Sequence, residues 1–347
     1  MTKPLAIVGY IGVTTNLTRA SSLVGMELAA MASLLEDAGY EVKVSGKEFE
    51  TKRAKKEPKT GLECWDGTGT PEIIWCHSGT PNFMGGPKPA HEEQIGVLAD
   101  AIEKGGDNVK IWRLLVDNNE TMRHHSINGL NRKQFPSFIR CLQGFNQVID
   151  AGNWAEVGWA DCRTPGSNIP FMECGGWTTR QLLLNKKLLG GSQEKEFDFA
   201  YVGTSRANPK KRDARALPMA GFLDHEPSFY TGSFFRKRKA YAGAWEGMAK
   251  SKAHLITREK TMEHLPLHRY MQALILDAIP MVLGEPEEVG FIHDPYLQSK
   301  LRVKNYEEGL SLLGEYDELL PKLKAELEYW IDFDLAAWDR FTKNYLG

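Results

Sequence analysis

The chain has 347 residues, of which 42% are hydrophobic and 25% charged, and its formal net charge is −2. This is the balance of an ordinary globular protein long enough for about two domains. It supplies no global positive field, so any contact with nucleic acid has to come from local basic patches. The five cysteines, at 64, 76, 141, 162 and 174, form no C-x-x-C pair and are odd in number, which points to a reducing cytoplasm rather than a disulfide scaffold. The N-terminus runs straight into a short apolar segment, Leu5 to Val8, far too short for a signal sequence or a membrane span, so no membrane partner is expected.

Strand and helix patterns alternate from the start. Leu5 to Val8 predicts a strand entering Gly9-Tyr10-Ile11-Gly12, and Leu23 to Ala38 predicts a helix ended by Gly39 at the usual cap position. Tyr40 to Val44 is the next strand, and further strands are expected near 72 to 77, 109 to 116 and 145 to 150. This alternation predicts one Rossmann-like, doubly wound domain over 1–190. After a helix near Thr178 to Leu189, the polar stretch Gly190 to Glu196 suits a hinge.

The pattern then restarts. Phe197 to Val202 is a strand running into Gly203-Thr204-Ser205-Arg206, a helix is expected after Pro209, and strands recur at Ser228 to Tyr230, His254 to Thr257 and Ile279 to Leu283. Two terminal helices are expected, Leu319 to Trp330 and Leu335 to Tyr345. The second domain therefore covers 196–330, and the helix over 335–347 is a candidate to pack back on the first. The fold class is α/β, two Rossmann-like domains facing across a cleft.

The stretch from Trp75 to Asp117 is the richest in chemistry. One apolar run, Glu72 to Gly79, leads into Thr80-Pro81-Asn82-Phe83-Met84-Gly85-Gly86, which is rich in turn formers. A second, Val109 to Val116, stops at Asp117. In a parallel sheet the carboxyl ends of strands line the ligand crevice, an address suited to a catalytic carboxylate. The ordinary alternative for Asp117, followed by two asparagines, is a turn former or helix cap.

Taken together, these residues carry a resemblance to the bacteriophage DNA β-glucosyltransferases, GT-B enzymes that move glucose from UDP-glucose onto 5-hydroxymethylcytosine in duplex DNA. Asn82-Phe83-Met84-Gly85-Gly86 resembles that family's N-F-F-G-G loop, and Leu115-Val116-Asp117 its strand ending in the catalytic aspartate. Tyr201 to Arg206, then Arg212, resembles the strand and turn that bring two arginines to the diphosphate. Arg269-Tyr270-Met271-Gln272, followed by Asp277 to Val282, is similar to the helix that holds ribose and phosphate. The resemblance runs over most of the chain.

It implies an inverting, UDP-sugar-dependent transferase acting on a hydroxymethylated pyrimidine, phage encoded, monomeric and at work in the host cytoplasm. Asp117 would be the general base that takes the acceptor hydroxyl proton. Gly203, Thr204, Arg206, Arg212 and Arg269 would hold the diphosphate, where charge develops as UDP departs, with Mg or Mn as an accompanying divalent cation. At Gln272 the chain departs from a carboxylate that would accept both ribose hydroxyls, because an amide has one acceptor oxygen and adds donors.

DNA contact requires base extrusion, with Phe83 and Met84 as wedge candidates between Asn82 and Gly85. Basic clusters at 52–56, at Arg123-His124-His125, at Arg132-Lys133 and at 234–239 could hold phosphates, although such runs are usually solvated faces. Other signals carry less. His264 and His268 have an i, i+4 spacing broken by Pro266, Asp332-Phe333-Asp334 is expected to be a helix cap, and Gly9 to Gly12 is not the dinucleotide fingerprint. Two competing functions stay open from the residues alone. One is a GT-B transferase with a small-molecule or lipid acceptor, and the other is a non-catalytic protein that binds DNA or a nucleotide sugar.

Overall fold

The computed structural model describes residues 2–11, 17–19, 23–46, 58–78, 89–114, 136–150, 167–170, 176–202, 221–231, 241–257, 267–283 and 289–346. It divides into two compact units, one built from Met1–Gln181 and Asp334–Gly347, the other from Leu182–Phe333.

The first unit is a parallel six-stranded sheet. Its strands are β1 (Leu5–Ile11), β2 (Glu41–Val44), β3 (Ile73–Ser78), β4 (Val109–Leu114), β5 (Gln147–Asp150) and β6 (Ser167–Pro170), in the spatial order β2-β1-β3-β4-β5-β6. Periodicity predicts only the first five. Ser167-Asn168-Ile169-Pro170 is too short and too polar to announce itself as a strand, and it pairs with β5 at the sheet edge, where a proline is tolerated.

Helix α1 (Leu23–Asp37) connects β1 to β2, and its apolar residues are buried nearly all round. Its end follows the Schellman pattern. Gly39, at φ +99°, donates its N–H to the Glu36 carbonyl and Tyr40 donates to Leu35, both at 3.0 Å. On this face Leu28, Met31 and Leu35 join Val8, Trp75 and Ile111 in one core.

Helices α2 (Pro89–Lys104) and α3 (Pro136–Gly144) pack against one another. Arg140 of α3 donates to Glu103 at 2.7 Å and to Asp100 at 2.8 Å on α2, while Glu92 accepts the Ser137 backbone N–H at 2.8 Å, near the start of α3. α2 also comes very close to β1. A Cβ on Gly9 would lie 2.8 Å from Leu98 and 2.4 Å from the Ser45 hydroxyl, so glycine is required there by contact, not by backbone angle.

The second unit is a parallel four-stranded sheet of β7 (Phe197–Val202), β8 (Ser228–Thr231), β9 (Ser251–Ile256) and β10 (Ile279–Val282), in the order β10-β9-β7-β8. Helix α5 (Tyr241–Ala249) precedes β9 and α6 (Leu267–Ile275) precedes β10. α7 (Pro295–Lys300) and α8 (Tyr306–Gly314) follow. Phe199, Trp245, Tyr270, Leu274 and Met281 lie in its core. The chain is thus α/β, with two parallel, doubly wound, Rossmann-like sheets.

α4 (Trp177–Leu189) and α9 (Tyr316–Phe341) each cross from one unit into the other. Where periodicity predicts two terminal helices, the structure has a single one of 26 residues, continued by a π-helical turn over Thr342–Leu346. Its buried residues Leu319, Leu323, Glu326, Trp330, Ala337, Trp338 and Phe341 keep helical spacing throughout, so nothing breaks the helix at Asp332. In the first unit its end buries Trp338 and Phe341 against Trp75, with ring centroids 6.2 and 5.7 Å away.

Asp334 does cap a helix, but not its own. Its carboxylate accepts the backbone N–H groups of Gly176 at 2.8 Å and Thr179 at 3.0 Å, at the start of α4, where glycine offers no capping side chain. We therefore expect Asp334→Ala to lower unfolding stability by about 1 kcal/mol. Urea denaturation should show the same loss with and without divalent cation, since a metal role would make the loss cation-dependent.

Candidate functional site

The winding of each sheet fixes where a ligand can bind. In the first unit the chain goes from β1 outward to β2 and returns on the other side of β1 to form β3, so the strand order reverses between β1 and β3. The crevice at such a reversal opens beyond the strands' carboxyl ends. Ile11, Ser78 and Leu114 stand side by side there, in register. The second unit repeats the device: β8 lies on one side of β7 and β9 on the other, so the reversal falls between β7 and β9.

Most of the residues singled out in the sequence leave from these two edges but lie outside the described residues. Asp117 is three positions beyond Leu114, which keeps its Cα within about 11 Å of that strand end. Asn82, Phe83, Met84 and Gly85 follow Ser78, the end of β3. Gly203, Thr204 and Arg206 follow Val202, the end of β7. These residues, together with Arg212, Arg123, His124 and the four basic clusters, are outside the description.

Arg269 and Gln272 are described. α6 carries the chain from the carboxyl end of β9 back to the start of β10, so its first turn, with His268 and Arg269, stands at the ligand edge of the second sheet. Backbone N–H groups at a helix start favour an anion, and Arg269 adds a full charge to them. Gln272, one turn on, is 2% exposed.

The first turn of α6 is held by a residue that carries no motif. Glu326 of α9, itself 2% exposed, accepts four hydrogen bonds. They come from the Tyr270 hydroxyl at 3.3 Å, the Trp330 indole N–H at 2.9 Å, and the backbone N–H groups of His293 at 2.8 Å and Asp294 at 2.9 Å. Because Tyr270 adjoins Arg269, this carboxylate fixes the turn that presents the arginine. The signal for it was a lone glutamate in an apolar helical stripe between Leu323 and Trp330.

Positive charge collects beneath the same helix. The Lys195 ammonium donates to the carbonyls of Ala249 at 3.1 Å and Leu276 at 2.8 Å, at the C-terminal ends of α5 and α6, and burial pulls its pKa down to about 8. His254, in β9, is fully buried with Nε2 2.9 Å from the Met248 carbonyl, to which the neutral ring donates. Burial first, and then the charges of Lys195 and Arg269, push its pKa down to about 4.

In the first unit, His77 is the last residue but one of β3. It is fully buried, and its Nδ1 lies 3.7 Å from the Glu27 carboxylate of α1. Among the described residues no group of three or more His, Cys, Asp or Glu side chains could hold a metal ion. No described helix is long and apolar enough to cross a membrane.

His254 makes folding pH-dependent. Its folded pKa of about 4 lies below the ordinary 6.5. The neutral ring's contribution is therefore complete above pH 6.5 and is lost as pH falls through 4, for a total on the order of 3 kcal/mol. His254→Gln, which keeps an N–H for the Met248 carbonyl, should flatten the fall in urea midpoint between pH 7 and 4.5 relative to the parent. Parallel pH profiles for the two proteins would exclude a neutral His254.

Among solved structures the chain is similar to an O-GlcNAc transferase mutant of Thermobaculum terrenum, at TM-score 0.43 and 12% identity, covering 98% of this chain and 66% of that one. It is also similar to an alpha1,3-fucosyltransferase, at TM-score 0.34 and 11% identity, covering 97% of this chain and 93% of that one. The chain thus spans 66% of the length of the Thermobaculum protein. No protein-family model matches it, and no curated protein matches it in sequence.

Proposed function

We propose that this chain is an inverting GT-B glycosyltransferase. It moves a sugar, glucose first among the candidates, from a UDP-sugar to the hydroxymethyl group of 5-hydroxymethylcytosine or 5-hydroxymethyluracil in duplex DNA. The observation that carries the reading is the repeated winding. Each sheet reverses its strand order once, and the chemistry-bearing segments of the sequence leave from the carboxyl ends beside those two reversals.

In this reading the first unit takes the acceptor and the second takes the donor. Asp117 accepts the proton of the acceptor hydroxyl while that oxygen attacks the anomeric carbon from the face opposite UDP, and the bond to the diphosphate oxygen breaks. Negative charge then grows on the diphosphate. Arg206, Arg212 and Arg269 oppose it together with the N–H groups at the start of α6, with Gly203 and Thr204 giving the backbone close approach. The target base must leave the stack to reach Asp117, and Phe83 and Met84 would occupy the gap.

Incubating each modified duplex with a panel of UDP-sugars, with and without magnesium or manganese, and analysing the nucleosides by mass spectrometry tests the reading directly. A hexosylated hydroxymethylpyrimidine is the expected product; UDP release without a modified nucleoside would assign another acceptor. Asp117→Asn should keep UDP affinity while transfer falls about 10²- to 10⁴-fold. Arg269→Ala should weaken UDP binding by about 1.5 to 3 kcal/mol, the scale of a charge-assisted contact. Unchanged UDP titrations in that variant would place the diphosphate elsewhere.

A further inference from the structure

Polar side chains at the amino end of the first sheet find partners. Asn146 accepts the Lys110 backbone N–H and donates to the Asn108 carbonyl, both at 2.9 Å, and Asn108 donates to Pro71 at 2.8 Å. At the carboxyl side of β1 and β2 the situation is reversed. Thr18, Ser45 and Gln94 are 5%, 1% and 5% exposed, yet Thr18 Oγ1, Ser45 Oγ and Gln94 Nε2 are buried without a hydrogen bond.

These three groups belong to one neighbourhood. Ser45 extends the sheet past β2, its N–H donating to the Val8 carbonyl at 2.8 Å. Its hydroxyl lies 2.4 Å from where a Cβ of Gly9 would be. Gln94, in the second turn of α2, has its Nε2 3.4 Å from the corresponding point on Gly46, and Leu17, beside Thr18, lies 3.1 Å from that same point. Two glycines therefore leave the space into which a hydroxyl and an amide are turned. A buried donor left unmade costs free energy, and an apolar side chain of similar size would avoid that cost. Such groups in a folded protein call for a specific reason.

We propose that Thr18, Ser45 and Gln94 form a binding subsite for an uncharged ligand edge that carries a hydrogen-bond acceptor beside a group able both to give and to take a proton. Amide and hydroxyl groups without a formal charge suit a carbonyl or hydroxyl better than a phosphate. Two sources share this chemistry: the edge of a pyrimidine and the hydroxyls of a hexose. The assignment to the acceptor side, the pyrimidine, rests on the function proposed above; the subsite itself does not.

The test compares the parent chain with Gln94→Met and Ser45→Ala by ligand-observed NMR titration. The probes are 5-hydroxymethylcytidine, 5-hydroxymethyluridine, methyl glucoside and UDP, with thermal unfolding measured on the same samples. The parent should bind at least one neutral probe, and each variant should bind it at least tenfold more weakly. UDP affinity should stay unchanged and the melting temperature unchanged or raised, because an unpartnered polar group has been removed. A nucleoside response identifies the pyrimidine edge, and a glucoside response the sugar.

Neutral-probe affinity equal to the parent's in both variants, or no neutral probe bound by the parent, overturns the subsite. So does a lowered melting temperature with binding retained, since the groups would then be structural. Variant-sensitive binding of a neutral probe with no transfer to any modified DNA keeps the subsite and rejects the proposed function. Transfer to DNA that both variants support at parental rates does the opposite.

Discussion

Every strand pair in this protein is parallel, and that constraint organises the rest. A parallel pair cannot be closed by a tight hairpin. Each strand must be followed by a crossover, and the helices that make the crossovers cover both faces of the sheet. The strands are buried on both sides as a result, which is why Ala6, Ile7 and Val8, or Ile279 and Met281, are apolar without alternation. The same constraint sends all carboxyl ends to one edge. Wherever the order of strands reverses, two crossovers leave on opposite faces and the edge between them is left open. The crevice in each unit is a by-product of winding.

Much of this was legible in the sequence because parallel strands and their helices write long, simple patterns. Leu5 to Val8, Leu23 to Ala38 with its Gly39 cap, and Phe197 to Val202 needed only periodicity and a stop signal. What escaped were elements whose reason lies elsewhere in the chain. Ser167 to Pro170 is a strand because β5 offers an unpaired edge, not because its residues favour one. The Asp332-Phe333-Asp334 stretch looks like a boundary, since aspartates cap helices. It is not one, because Asp334 serves the start of α4, more than 150 positions away in sequence.

The candidate site divides in the same way. Residues placed by strand ends, such as Asp117 and Arg206, could be named from the pattern, since the end of a strand is a local property. Groups that act through packing could not. Glu326 has no motif, and its importance comes from four donors contributed by three separate stretches of chain. Ser45 and Gln94 look like ordinary polar residues until the close approach of β1, α2 and the segment after β2 encloses them. The glycines were the readable half of that arrangement: Gly9 was noted in the sequence only for what it is not, a nucleotide fingerprint. Its role is to give way to a neighbouring side chain.

The end of α9 has a consequence for how the protein is made. Trp75 sits in the middle of the first sheet, yet part of its cover, Trp338 and Phe341, comes from the last stretch of the chain. During synthesis the ribosome must deliver the whole span from Leu182 to Phe333 before those rings emerge, a wait of roughly ten to thirty seconds at ordinary elongation rates. For that interval the nascent first unit exposes an indole and the apolar surface around it. Such surface is what holding chaperones bind and what drives association between neighbouring nascent chains. The order of translation thus makes the second unit the earlier of the two to have its whole sequence available, although it is encoded later.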